Sequence, residues 1–193
     1  MSKFNIMKNI IIILIFAIAP IGFAQSLFEK YEDMDNVSSV VVNQKMFGML
    51  AEMQIKTNDP EADTFLEQVK TLKNLTVYTT DDLTVSKAII LDVDRYIKSS
   101  SLEELMRIKD GDKNIKFYVQ SGRDDNHVSE LLMLVNGLTK ASDARDIKLG
   151  GEKRIVETIL LSLTGDIDLR NVSKLTTQLN VPGGEQLKKA SKK

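Results

Sequence analysis

The hydrophobic pattern changes period half-way through residues 154–179 (RIVETILLSLTGDIDLRNVSKLTTQL). Ile155, Ile159, Leu161 and Leu163 fall on one side of an extended chain, and Thr158, Ser162 and Thr164 on the other. That is the alternation of a strand with one buried face. Gly165-Asp166 then predicts a break in the strand. Asp168 can accept hydrogen bonds from the first free amides of a helix. Leu169, Val172, Leu175 and Leu179 give that helix a single apolar stripe. The unit reads as a strand whose helix folds back onto a sheet.

The same reading applied from the N-terminus predicts a short helix over Ser26–Asp33 and a strand over Val37–Val42. Both faces of that β-branched strand are apolar or small, which suits a central, covered position. Met46, Phe47, Leu50 and Met53 recur at helical spacing within Lys45–Met53. Asn58-Asp59-Pro60 reads as a helix start, with Pro where its missing N–H costs nothing. Ala62, Phe65, Leu66, Val69 and Leu72 form that helix's stripe, and Leu75–Thr79 a short strand. Asp81 or Asp82 caps the next helix, in which Val85, Ile89, Val93 and Tyr96 align.

After Ser99-Ser100-Ser101 the period turns to alternation. Leu102–Lys109, Asn114–Gln120, Val128–Asn136 and Ile155–Leu163 read as strands. Asp110-Gly111-Asp112 is a hairpin signal. Gly122-Arg123-Asp124-Asp125-Asn126 is the next turn. Connections this short make the neighbours antiparallel. Residues 138–153, with Gly150-Gly151 and mixed charges, read as a mobile loop. Pro182-Gly183-Gly184 ends the last helix, and Lys188, Lys189, Lys192 and Lys193 form a basic tail over 188–193. The sum is an α+β fold: an antiparallel β-meander in the C-terminal half, with helices packed on one face of a single sheet.

The start of the chain changes the picture from fold to address. Lys3 and Lys8 precede the apolar run Ile10–Ala19, and Gly22 and Ala24 are the small residues a signal peptidase requires. The run is shorter than the roughly 20 residues of a membrane span. Residues 1–24 therefore read as a signal peptide cleaved after Ala24. Residues 25–193 read as one α+β domain, periplasmic or secreted, with no membrane span after cleavage. Loss of the signal's two lysines leaves a slightly acidic chain, which attracts neither nucleic acid nor anionic lipid.

The 193 residues include no cysteine and one histidine. Disulfides, thiolate nucleophiles, Cys-based zinc sites and a lipoprotein anchor are therefore excluded. His127 follows Asp124 and Asp125, which can orient a general base. However, no G-x-S-x-G turn accompanies it, and one His with carboxylates is a poor zinc set. Turn chemistry explains the run equally well. Asp33/Asp35, Asp92/Asp94 and Asp166/Asp168 are D-x-D pairs, but none continues as a calcium loop. Asp92 and Asp94 on a helix do not share a face. Met46, Met49 and Met53 lie on one side of a helix. Such thioethers bind Cu(I), but Met also fills core gaps, and the adjacent Phe47 and Leu50 favour a place in the core. No P-loop or dinucleotide fingerprint is present.

Four stretches together, FAQSLFEKYEDMDNVSSV, EELMRIKDGDKNIKFYVQ, HVSELLMLV and LTGDIDLRNVSKLTTQLNVPGGEQLKK, resemble an exported Bacteroidota family catalogued as domain of unknown function 4252. The resemblance implies an envelope protein with a link to envelope signalling. It carries no catalytic motif. Some members resemble lipoproteins, and this chain departs from them in lacking Cys. The expected function is a non-enzymatic binding or interaction module, without cofactor or metal, whose partner is an envelope protein or small molecule. The alternatives are a carrier that holds a small apolar ligand between the Met-rich helix and the sheet, and a hydrolase using His127.

Overall fold

The computed structural model describes residues 27–52, 67–138, 148–149, 152–153 and 156–170. The expected signal peptide, the Asn58–Pro60 helix start with Ala62, Phe65 and Leu66, most of the 138–153 loop, the helix beyond Arg170 and the basic tail lie outside these residues.

In chain order the elements are β1 (Ser38–Asn43), α1 (Gln44–Glu52), β2 (Leu72–Thr80), α2 (Leu83–Ser99), β3 (Glu103–Asp110), β4 (Lys113–Ser121), β5 (His127–Asn136), β6 (Lys148–Leu149), β7 (Glu152–Lys153) and β8 (Thr158–Asp168). Six strands form one antiparallel sheet in the order β1-β2-β8-β5-β4-β3. β6 and β7 pair as a separate short ribbon inside the expected loop. The strand predicted over residues 155–163 is the centre of the molecule. β8 sits between β2 and β5, pairing Leu161 with Val77 on one side and Met133 on the other.

Both faces of the sheet are buried. On one, Ile159, Leu161 and Leu163 join Val77, Ile115, Phe117, Leu131 and Met133, with Phe47 of α1 packed among them. On the other, Leu160, Leu134 and Tyr78 meet Ile89, Val93 and Tyr96 of α2, with Phe28 and Tyr31 beside them. The alternation of β8 is as its sequence predicts, and so is the apolar stripe of α2. That helix starts where Asp82 Oδ1 accepts from the amides of Thr84 (2.7 Å) and Val85 (3.0 Å). It then carries the chain from β2 to the far edge, β3. The helices divide between the two faces, because α1 follows β1 without a loop and turns to the face opposite α2. The N-terminal helix is shorter than predicted: residues 27–29 are helical and 30–33 are turns.

Two other expectations are corrected. The β-branched run at β1 is an edge strand, not a covered central one, with Val40 51% and Val41 50% exposed. A run of valines looks the same at either position until its neighbours are known. Gly165 does not end β8, which continues to Asp168. At φ 145 it lets the strand pass while β2 shifts register between Leu72 and Asn74. Thr71 fastens the bend, its O accepting from Asp166 N at 3.0 Å and its Oγ1 donating to Asp166 O at 2.7 Å.

Candidate functional site

The sequence directs attention first to His127. It is buried at the start of β5, opposite Asp168 of β8. The turn before it closes with Gly122 N donating to His127 O at 2.9 Å. Asp124 Oδ1 lies 2.7 Å from Nδ1, and Arg123 Nη2 lies 2.7 Å from Nε2. A guanidinium only donates, so Nε2 accepts and the proton of the neutral ring sits on Nδ1, facing Asp124. The lone pair a general base would use is occupied. The hydrogen bond from His127, then the Asn126 amide, holds Asp124 below the usual carboxylate range. Asp125 is exposed and takes no part. The group is a clamp on the β4–β5 turn.

The D-x-D pairs resolve similarly. Asp166 Oδ2 lies 3.4 Å from Arg123 Nη1. Asp168 accepts from the Arg170 amide at 2.9 Å and from its guanidinium at 2.7 Å. The Arg170 side-chain bond keeps its pKa low against the opposing effect of burial. Asp168 thus makes the amide bond that the predicted cap requires, while all but the first two residues of the predicted helix lie outside the described residues. Asp92 is buried and Asp94 exposed, as helix geometry requires. Asp92 accepts from Tyr31 Oη at 2.5 Å and Arg95 Nη1 at 2.7 Å, and pairs with Lys30. Burial is the largest influence on Asp92 and acts upward, but the Lys30 and Tyr31 bonds, with the Lys30 and Arg95 charges, outweigh it and leave the pKa lowered. Among the described residues, no group of three or more His, Cys, Asp or Glu side chains is placed to hold a metal ion.

Sequence reasoning missed Glu130, a lone acid in the apolar strand HVSELLMLV. It is 5% exposed, one oxygen accepts from Tyr96 Oη at 2.8 Å, and the other, Oε1, has no partner among the described residues. Burial pushes its pKa up, and the Tyr96 hydroxyl offsets this only in part. A carboxyl with a raised folded-state pKa lends most stability below its ordinary value of 4.5, and that contribution is lost as pH rises through the folded-state pKa. Glu130→Gln, which cannot ionise, is therefore expected to gain stability relative to the wild type as the pH is raised from 4.5 to neutrality. Urea melts of both proteins across that range measure the difference; a constant difference would mean that Glu130 does not titrate upward.

A cleft of about 410 Å³ opens at the end of the sheet remote from His127, lined by Asp35, Asn36, Ser38, Thr79, Asp81 and Val156 among others. Its wall is braced by Thr80 Oγ1 donating to Asn36 O at 2.7 Å and Asn36 Nδ2 donating to Asp82 Oδ2 at 3.0 Å. The cleft joins residues from three separate segments, so no local motif marks it.

A family profile described as a domain of unknown function, DUF4252, matches residues 31–175. The chain belongs to the DUF4252 family. No curated protein and no solved structure matches it. The DUF4252 region covers the whole six-stranded sheet, the cleft and the His127 clamp.

The methionines are the remaining correction. In α1 the side chains that meet the sheet are Phe47 and Ala51, while Met46 is 48% and Met49 53% exposed. Met46 and Met49 are not core, Met53 lies outside the described residues, and the space between α1 and the sheet, which the apolar-carrier alternative would use, holds Phe47. Leu50 of α1 and Val40 and Val41 of β1 are exposed as well, at 41%, 51% and 50%. Among the described residues, no helix is long and apolar enough to cross a membrane.

Proposed function

We propose that this DUF4252 member is an exported, non-enzymatic interaction module of the cell envelope that binds a polypeptide along β1. The observation that carries the reading is the β1 edge. Among the described residues β1 has a strand on one side only, and it carries the exposed Val40 and Val41, while Met46, Met49 and Leu50 of the following helix are exposed too. Large exposed apolar surface on a soluble domain marks an interaction site, and a bare sheet edge recruits an added strand. The occupied lone pair of His127 speaks against hydrolysis at that residue. Export rests on the N-terminal sequence, and the exported protein is expected to begin at Gln25 by mass spectrometry.

Site-specific photocrosslinking in living cells tests the reading. A photoreactive residue at Val41 is expected to give protein adducts, and one at Leu91, equally exposed on α2, none. Equal labelling at both positions, or none at Val41, would contradict it.

A further inference from the structure

The two side chains that hold the His127 ring answer to its charge in opposite ways. The backbone beneath the ring is fixed. His127 O accepts from Gly122 N at 2.9 Å, and His127 N donates to Asp124 O at 3.1 Å. A Cβ added at Gly122 would lie 2.7 Å from His127 O, so the turn closes tightly on β5. Asn126 O also accepts from Leu169 N at 2.9 Å, which ties the turn to the end of β8. The ring itself is only 10% exposed, so it has no room to back away from a neighbour. The Arg123 side chain is 63% exposed and does have that room.

We infer that this clamp is a pH-responsive device: protonation of His127 expels the Arg123 guanidinium from Nε2 and leaves the backbone of the turn in place. Imidazole is the side chain that changes charge between about pH 5 and pH 8. In the neutral ring Nδ1–H faces Asp124 Oδ1 at 2.7 Å, and the Nε2 lone pair takes Arg123 Nη2 at 2.7 Å. The bond to Asp124 survives protonation and gains charge assistance. The bond to Arg123 does not, because both nitrogens then carry hydrogen and both groups carry positive charge. Two donors repel at that distance, and the exposed guanidinium is the one free to leave.

The surrounding charges favour the proton. Among the described residues, the charged groups that meet the ring or its partners are Arg123 and Asp124 of the turn, Asp166 and Asp168 of β8, and Arg170 on Asp168. Asp125 is exposed, and Glu130 farther along β5 is bonded to Tyr96 instead. Three carboxylates thus stand against two guanidiniums, and with a neutral ring the cluster lacks one positive charge. A proton on His127 supplies it. Asp168, opposite His127 across the β5–β8 ladder, is held further toward its charged form by the charge of the ring. Once expelled, Arg123 keeps only the longer approaches to Asp166 Oδ2 at 3.4 Å and Asp124 Oδ2 at 3.6 Å. Acid therefore turns a fixed side chain into a loosely held, exposed cation at this end of the sheet.

Nuclear magnetic resonance of the isotope-labelled protein tests this, because the sole histidine gives one ring to follow. At high pH the ring proton is expected on Nδ1. As the pH falls, the Arg123 Nε–H is expected to lose order with the same midpoint at which the ring gains its second proton. Arg123→Gln removes the repelling charge, and its ring is expected to take up the proton at a pH higher than in the wild type by about 0.5–1 unit. Asp168→Asn removes a balancing charge and is expected to move the midpoint down by a similar amount, roughly 0.5–1 unit. His127→Gln is expected to leave Arg123 without a pH response over the same range. Amide spectra show whether each variant is folded. A ring proton on Nε2 at high pH, an Arg123 side chain equally ordered throughout the titration, or an Arg123→Gln midpoint at or below that of the wild type would overturn the inference. The reading of β1 as a binding strand is independent of each of these results.

Discussion

Leu161→Ala is expected to lower the stability of the protein by about 2–5 kcal/mol. Leu161 is 2% exposed in the central strand, between Val77 and Met133. Truncation there removes apolar contacts on a face that close packing has already filled, and neighbouring backbones on both sides restrain collapse into the cavity. A typical domain has only ~5–15 kcal/mol of net stability, so the loss is large. Ser162→Ala, one position on, points to the other face and is half-buried. Its cost is expected to be a few tenths, within about 0.5 kcal/mol of zero. Urea melts of both variants measure the order. If Ser162→Ala were the costlier change, the register of β8 would be off by one and every side chain of the strand would face the wrong way.

Gly165→Ala is expected to cost a comparable amount, roughly 2–5 kcal/mol, for a different reason. At φ 145 an L side chain is strained, and an added Cβ would lie 2.5 Å from Thr71 O and 2.8 Å from Leu72 Cα. These are backbone atoms of the neighbouring strand at its irregular point, so relief requires β2 itself to move. Gly48, in the middle of α1, has nothing within 4 Å of an added Cβ. There the same substitution is expected to stabilise by about 0.5–1 kcal/mol, through helix propensity alone. Opposite signs at the two glycines, read from thermal melts, separate the conformational demand of the bend from a general effect of alanine. A neutral Gly165→Ala would mean that the bend is absent.

What the sequence made legible was local. The period of β8, the Asp82 cap, the Asp168 amide bond, the Ile89–Val93–Tyr96 stripe and the Asp110–Asp112 hairpin each depend on residues a few positions apart. What stayed hidden depends on a distant partner. In α1, Phe47 and Ala51 fit helical spacing as well as Met46 and Met49 do, and the exit of the chain from β1 decides which pair meets the sheet. That Gly165 bends β8 without ending it follows from the matching irregularity in β2. Glu130 went unnoticed in an apolar strand, because nothing near it in sequence named Tyr96. Asp92 lay in a pair judged only for metal binding, while its partners Tyr31 and Lys30 are in the N-terminal segment. The exposure of β1 follows from sheet order, which places it outermost among the described strands.

Amide hydrogen exchange at two strands tests the central claim, that the uncharged edge is the binding edge, most directly. Once a protein captured at Val41 is bound, the outward amides of residues 39–43 are expected to exchange more slowly than in the free protein. The amides of residues 103–110 on the charged edge are expected to exchange alike in both states. Unchanged exchange along β1 on binding, with protection appearing instead along β3, would contradict the account.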